Sequence, residues 1–477
     1  METRRKERNI MSETRNLRGR LVKVALFGAL ALTLGGCDAV DRLLEVKNPE
    51  ELRDQDLANQ KLIKVLTSSA QGDFQAAYDD PFIWIGEMLT DEEITGVNYE
   101  DYKRTNNRQV IYSEGPARNM FAELQGARYT AKLSYEKLQA IEEVAPGTVT
   151  GDQFAKVLGY QGYSYILLAD AMCESTIDEG GEIYTPQQLY GTAIDLLKEG
   201  LAQATTVDVR NWLNVGVARA SLDRLEYAQA AQYAAAVTDP NFVKWVEYVD
   251  DTRADDELYG WNSGSNFTIG INPRWMNGGT TYWLKAVPDS IQTDPRIQHW
   301  ATSKVGHDAS TPLYKIYQPW SYSGYTGNTI ATGAVRDSDT GVQQFQRNSS
   351  IKLATYLEAQ HILYEAGLWS NSVSAAEVLT FVNARRAYGN QPAVDYTGEA
   401  LKNELREQRG KDLFFGGFRL GDLRRYAAQG NPPAQHAFPT GQHPVVERGI
   451  YFDGTCFPIP LTEYQGNGKI KDPHTGG

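Results

Sequence analysis

The pattern of apolar and polar positions is helical over much of the chain. The longest run covers residues 117–144 and stops at Pro146-Gly147, a pair that interrupts the helical ladder and supplies a turn. Three later stretches share one outline, in which a helix rich in Ala, Tyr and Leu leads through a short turn to a second helix. The first is "FAKVLGYQGYSYILLADAM", answered after an insertion by "TPQQLYGTAIDLLKEGLAQA". The second is "NWLNVGVARASLDRLEYAQAAQYAAAVTDP", and the third is "SSIKLATYLEAQHILYEAGLWSNSVSAAEVLTFVNARRAYG". Alanines recur where two helices must approach closely, and aromatics recur at steps of three and four, as a shared helix face requires. In the third stretch Leu353, Tyr356, Leu363 and Ala366 are expected near one face.

The segment "RLEYAQAAQYAAAVTDP" resembles the second half of a tetratricopeptide repeat, closing proline included. Such repeats are stacked helix pairs whose usual work is interaction, so they carry no catalytic signal. Over about residues 241–348 the character changes: Gly, Asn, Ser, Thr and aromatics dominate "GWNSGSNFTIGINPRWMNGGTTYWLKAVPDS" and "YKIYQPWSYSGYTGNTIATGAV". A long irregular insertion in an ordered domain is often the functional part. The expected fold is mainly α: tetratricopeptide-like helix pairs over about 117–240 and 349–430, interrupted by this loop-rich insertion.

Near the N-terminus the pattern has another meaning. A basic lead (Arg4, Arg5, Lys6, Arg8, Arg15, Arg18, Arg20, Lys23) precedes the apolar run "VALFGALALTL" and then Gly35-Gly36-Cys37. This is the layout of a secretory signal peptide over residues 1–36, and the run is too short to cross a bilayer. The small pair before Cys37 resembles the bacterial lipobox, in which the cysteine is lipidated and becomes the first mature residue. Diacyl modification there gives durable anchoring. Beyond it the segment around Asn48-Pro49 breaks the chain, and Asp54 can cap the helix that follows.

Net charge is −13, and the leader holds eight basic residues against three acidic ones, so the remainder is more acidic still. That balance argues against nucleic acid and against charge-driven docking to anionic lipid. Cys173 and Cys456 are the other cysteines. In an exported chain they either form a disulfide or stay apart, and spacing alone leaves both open. No Cys/His spacing suggests a metal, and no HExxH, GxSxG or Walker loop suggests catalysis. No cofactor is expected.

The C-terminal region carries the most specific pattern. "LKNELREQRGKDLFFGGFRLGDLRRYAAQG" followed by "CFPIPLTEYQGN" resembles the end of the SusD-like (RagB) family of outer-membrane nutrient-binding lipoproteins. Glu404, Arg406, Arg409, Leu413, Phe415, Gly417, Arg419, Asp422, Leu423 and Arg425 fall on the family's helix motif, with Pro458-Ile459-Pro460 and Asn467 after it. Gly416 stands where the family has Glu, and Lys411-Asp412 replace Glu-Leu. "LLEVKNPEEL", "TDEEI" and "DPR" are similar to further family elements, so the likeness spans nearly the whole of residues 37–477, one SusD-like domain. Arginine forks among Leu413, Phe414, Phe415 and Phe418 can pair with carboxylates while their stems cover apolar surface. They read as structural, tying the last helix to the repeat layer.

The resemblance implies a surface-exposed outer-membrane lipoprotein, anchored through Cys37, that delivers a glycan or other nutrient to a SusC-like TonB-dependent transporter, with the repeats as platform. A sugar needs flat rings beneath its C–H face and polar groups at the rim. The chain has 27 tyrosines and 9 tryptophans, more rings than a helical core needs. Platform candidates are Tyr99, Tyr102, Trp261, Trp275, Tyr282, Trp283, Trp320, Tyr322 and Tyr325, with Asn98, Asn262 and Asn277 at the rim. Each ring alone is more often a packing residue. Two alternatives stand beside this reading: a lipid-anchored scaffold for a protein partner, and a surface glycoside hydrolase with carboxylates far apart in sequence.

Overall fold

Thr and Ser side chains open several helices of the chain, whose computed structural model describes residues 60–178, 181–251, 254–263, 268–276, 294–316, 319–325 and 346–473. The expected leader, Cys37, Asn48-Pro49, Asp54, Asn277, Tyr282 and Trp283 lie outside these residues, which fall within one compact unit, Asn59–Gly477. The helices run α1 (Gln60–Ala77), α2 (Glu100–Asn106), α3 (Gly115–Val144), α4 (Gly151–Ala171), α5 (Pro186–Gln203), α6 (Val207–Asp223), α7 (Tyr227–Ala235) and α8 (Glu257–Ser263). After the insertion come α9 (Tyr356–Ser370), α10 (Ala375–Tyr388), α11 (Gly398–Asp412), α12 (Arg419–Gln429) and α13 (Leu461–Gly466). Thr150, Thr185 and Ser374 begin α4, α5 and α10 with capping boxes closed by Gln153, Gln188 and Glu377. Asn371, in the left-handed region at φ 56°, ends α9.

Successive helices pack as a layer, α3 on α4, α4 on α5, α5 on α6 and α6 on α7, with α1 laid across α3 and α4. Close approach depends on small residues. A Cβ on Gly159 would lie 2.5 Å from the Trp212 ring, and one on Gly162 would lie 2.6 Å from Leu197. Ala155, Ala193, Ala218, Ala230 and Ala234 are likewise buried at these contacts. The layer continues as α9 against α7, and α10 against α11 over Val378, Val382, Leu401 and Leu405.

Among the described residues, eight short strands form four antiparallel pairs. They are β1 (Glu93–Thr95), β2 (Ser175–Thr176), β3 (Ile183–Tyr184), β4 (Val243–Val246), β5 (Ile269–Ile271), β6 (His299–Val305), β7 (Pro312–Ile316) and β8 (Ile351–Thr355), paired β1–β5, β2–β3, β4–β8 and β6–β7. The β4–β8 pair matches Val243 to Thr355 and Val246 to Ile351, so the insertion leaves and rejoins the helical layer through one ribbon. This corrects the expectation for Leu353. It lies in β8, and the helix starts only at Tyr356, where the Thr355 side chain accepts from the Glu358 N–H. Strand pairing with β4 outweighs the helical spacing that Leu353 shares with later residues.

Cys173 and Cys456 form a disulfide, with Cα atoms 5.0 Å apart across 283 residues of sequence. Beside it the Cys173 N–H donates to the Phe457 carbonyl at 2.8 Å, tying the C-terminal segment to the end of α4.

Buried charges join the last helices to the layer. Arg425 of α12 donates to Asp223 of α6 at 2.6 Å and to Glu365 of α9 at 2.9 Å, and lies 2.8 Å from Asp422. Arg409 of α11 reaches the same Asp422 at 2.8 Å. Arg419 grips both oxygens of Asp91, at 2.6 and 2.8 Å. A second hub is Asp412, which meets Arg296 at 2.9 Å, His361 at 2.7 Å and Arg385 at 2.8 Å. Burial by itself would raise the Asp412 carboxyl, but Arg296, His361 and Arg385 hold it far below the carboxylate range. Buried arginines persist only with such partners, and Arg409, Arg419 and Arg425 serve the fold as their sequence context suggests.

Candidate ligand-binding site

Pairing of β1 with β5 brings two distant segments together. Thr268, just before β5, receives a hydrogen bond from Gly96, while its own N–H donates to the Trp261 carbonyl at 2.8 Å. Its hydroxyl donates to that carbonyl as well, at 3.1 Å. Trp261 at the end of α8 is thereby fixed against the segment that leads into α2. Asn106 fixes α2 in turn: its amide nitrogen donates to the Met88 and Glu93 carbonyls, both at 3.2 Å, and its oxygen accepts from the Thr95 N–H.

On this frame four rings form a continuous ladder. Trp261 stacks on Trp84 with centroids 4.2 Å apart and planes 14° apart. Trp84 stacks on Tyr102 at 5.2 Å and 25°, and Tyr102 meets Tyr99 at 6.1 Å with a 50° tilt. Trp84, 3% exposed, is the buried ring inside the ladder, and Tyr99, 56% exposed, ends it at the surface. Trp261 and Tyr102 lie between these extremes.

Polar groups edge the rings. Trp261 Nε1 donates to Asp80 at 3.3 Å, and the Asn119 amide donates to the Tyr102 hydroxyl at 3.1 Å. Burial, then the negative charge of Glu257, pushes Asp80 up to about 8. Burial and the Asp80 charge lift the Tyr102 hydroxyl to about 12, so it stays a neutral donor at physiological pH. Ring faces backed by a buried tryptophan and edged by amide, hydroxyl and carboxyl groups can cover the C–H face of a sugar and hydrogen-bond its hydroxyls.

Three platform candidates, Tyr99, Tyr102 and Trp261, thus meet in one place. Trp84 and Asp80 were not singled out from sequence. Trp84 sits in the apolar run "PFIWIGEML", which reads as core, and only the β1–β5 pairing reveals its partner. Asn98 is exposed one residue before Tyr99.

Other candidates sit elsewhere. Trp275 is 2% exposed, with its ring tilted over Phe414 at 5.3 Å and Arg274 4.1 Å from its centroid. Tyr322 is 1% exposed and its hydroxyl donates to the Phe415 carbonyl at 3.0 Å. Both are corrected from platform to packing residues, because C-terminal phenylalanines and arginines occupy their surroundings. Asn262 is corrected likewise: it is fully buried, pairing with the Ile316 backbone through both ends of its amide. Trp320 is half-buried over the Lys352 ammonium, and the Tyr325 hydroxyl meets that of Tyr388 at 3.1 Å. These two rings remain at the surface in a separate setting.

No family model matches the sequence, and no curated protein does. Solved structures do. A SusD superfamily protein from Parabacteroides distasonis ATCC 8503 matches over 89% of this chain and 100% of its own, with a TM-score of 0.64 at 14% identity. The fold is SusD-like. Surface glycan-binding protein A from Bacteroides uniformis shares it over 86% of this chain and 99% of its own, with a TM-score of 0.60 at 13% identity. A SusD-like carbohydrate-binding protein from Bacteroides fragilis NCTC 9343 does so over 87% and 99%, with a TM-score of 0.59 at 13% identity. Across such identities the shared feature of the SusD-like fold is its backbone architecture. Among the described residues no helix is long and apolar enough to cross a membrane.

Proposed function

We propose that this chain is a SusD-like lipoprotein that binds a glycan over the Tyr99–Tyr102–Trp84–Trp261 ladder and passes it to a SusC-like TonB-dependent transporter, without catalysis. Residues 1–36 leave with export, Cys37 anchors the mature chain in the outer membrane with its binding face outward, and residues 37–477 act as one domain. The single observation that carries the reading is the ladder itself. A stack of rings climbs from a buried tryptophan to an exposed tyrosine at the junction of insertion and helical layer, on a fold shared with proteins described as glycan-binding. Tyr282, Trp283, Trp320 and Tyr325 are kept as further proposed ligand-binding rings, Trp320 and Tyr325 in a setting apart from the ladder. Asp80 is read as a group that orients Trp261, with no part in bond cleavage.

Incubating the purified protein with a panel of glycans tests the reading. Retention of at least one glycan with no released sugar is the expected outcome, and released sugar would make the protein a hydrolase. For the partner, a pull-down from solubilised outer membranes is expected to recover a large barrel transporter. Recovery of a periplasmic protein instead would favour the scaffold reading. Cys37→Ser is expected to move the protein out of the membrane fraction.

A further inference from the structure

Helix α3 carries Gly126 in its interior, where an added Cβ would meet nothing within 4 Å. Glycine inside a helix is destabilising relative to alanine. At Gly159 and Gly162 the reason for glycine is steric, because a side chain would strike Trp212 or Leu197. No neighbour gives that reason at Gly126. Gly72 in α1 is equally open, so openness alone decides nothing; what sets Gly126 apart is the cavity that it lines. This cavity, of about 580 Å³, lies between α3, the β2 strand and α13. Gly466 at the end of α13 lines it too, again with nothing within 4 Å of an added Cβ.

The walls are organised in advance. Arg128, 3% exposed, donates through Nε to Gln125 at 2.7 Å and through Nη1 to Asp178 at 3.1 Å. Gln125 donates to the Ser175 hydroxyl at 2.9 Å and to the Thr176 carbonyl at 2.5 Å. The Thr176 hydroxyl and the Asn467 amide both donate to Glu463 Oε1, at 2.8 and 3.0 Å. Side chains already held by one another need little ordering when a ligand enters. Tyr129, 52% exposed, adds a ring face at the mouth. One guanidinium stands against two carboxylates, one of which also lies 3.3 Å from Lys132, so neither a strongly anionic nor a strongly cationic ligand is favoured. Dense donors and acceptors beside a ring suit a neutral ligand rich in hydroxyls, and the volume falls in the range of small-molecule sites.

We infer that this cavity, which shares no lining residue with the ladder, is a second carbohydrate subsite that takes a neutral monosaccharide-sized unit and is kept open by Gly126. It stands or falls separately from the ladder. The test is saturation-transfer-difference NMR on the purified chain, with D-glucose, D-galactose, D-mannose and N-acetyl-D-glucosamine as probes at millimolar concentration. Wild type, the ladder variant Tyr99→Ala/Trp261→Ala, and Gly126→Leu and Tyr129→Ala made in that ladder variant are compared. At least one probe is expected to give a signal in the ladder variant. Adding Gly126→Leu is expected to raise its Kd about tenfold or more with the circular dichroism spectrum unchanged, and adding Tyr129→Ala to weaken it as well. Absence of signal from all four probes in the ladder variant would overturn the inference, as would an unchanged Kd on filling the cavity. Failure of the ladder reading looks different: the ladder variant would then hold larger glycans as tightly as wild type.

Discussion

Trp84 lies face to face with Trp261, 4.2 Å between ring centroids, although 177 residues of sequence separate them. Only one of the pair reaches the surface, and that asymmetry separates stability from binding. Trp84→Ala removes a ring that is 3% exposed and is expected to cost about 3–5 kcal/mol in chemical denaturation. Trp261→Ala is expected to cost the fold less and to lower glycan affinity.

Trp275→Ala is expected to behave like Trp84→Ala. Its ring is buried among Phe414, Arg274 and Arg419, so denaturation should shift by about 3–5 kcal/mol. Glycan affinity of the folded fraction should stay at the wild-type value. A selective loss of affinity at unchanged stability would return Trp275 to the binding surface.

Trp261 and Trp275 also show where sequence stops being informative. Both lie in the same Gly- and Asn-rich stretch, so composition treats them alike, and only tertiary placement separates a ring over Trp84 from one over Phe414. The helical layer was far more legible, because alanine spacing, capping residues and Pro146-Gly147 act within a few residues of where they stand. The structural part of Arg409, Arg419 and Arg425 could also be read, from their setting among apolar side chains. Asp412 as a hub could not, since Arg296, His361 and Arg385 arrive from three other segments. The Cys173–Cys456 bridge stayed open for the same reason.

Arg425 holds Asp223, Glu365 and Asp422 together out of water. Arg425→Ala leaves those carboxylates without their shared cation and is expected to destabilise the protein by about 3–5 kcal/mol. Urea denaturation checks this, and a shift below 1 kcal/mol, roughly the worth of an exposed pair, would contradict the buried network.

Two carboxyls are expected to give opposite pH dependences. Burial pushes Asp422 up, but Arg409 and Arg425 outweigh it and bring it down to about 2. Its stabilisation is therefore complete above the ordinary aspartate value of about 3.9 and is lost as pH falls towards 2. Asp80 is raised to about 8, by burial first and Glu257 second. Its contribution is complete below about 3.9 and drains away as pH rises through 8. Denaturation midpoints measured at increasing pH from neutral to mildly alkaline should fall more steeply for wild type than for Asp80→Asn. Parallel slopes would show that Asp80 does not titrate there.

The disulfide closes a loop of 283 residues. Cys173→Ser/Cys456→Ser is expected to cost about 2–5 kcal/mol through the wider freedom of the unfolded chain, with glycan affinity unchanged because neither sulfur borders the ladder. Thermal unfolding with and without reductant should reproduce the difference in wild type and leave the double variant unmoved.

The most direct measurement is isothermal titration calorimetry of a glycan retained by wild type against the Tyr99→Ala/Trp261→Ala variant. Both rings reach solvent and neither anchors the helical layer, so the variant should unfold with a similar midpoint while its Kd rises about tenfold or more, the equivalent of roughly 1.4 kcal/mol. An equal Kd in a folded variant would contradict the ladder as the binding surface.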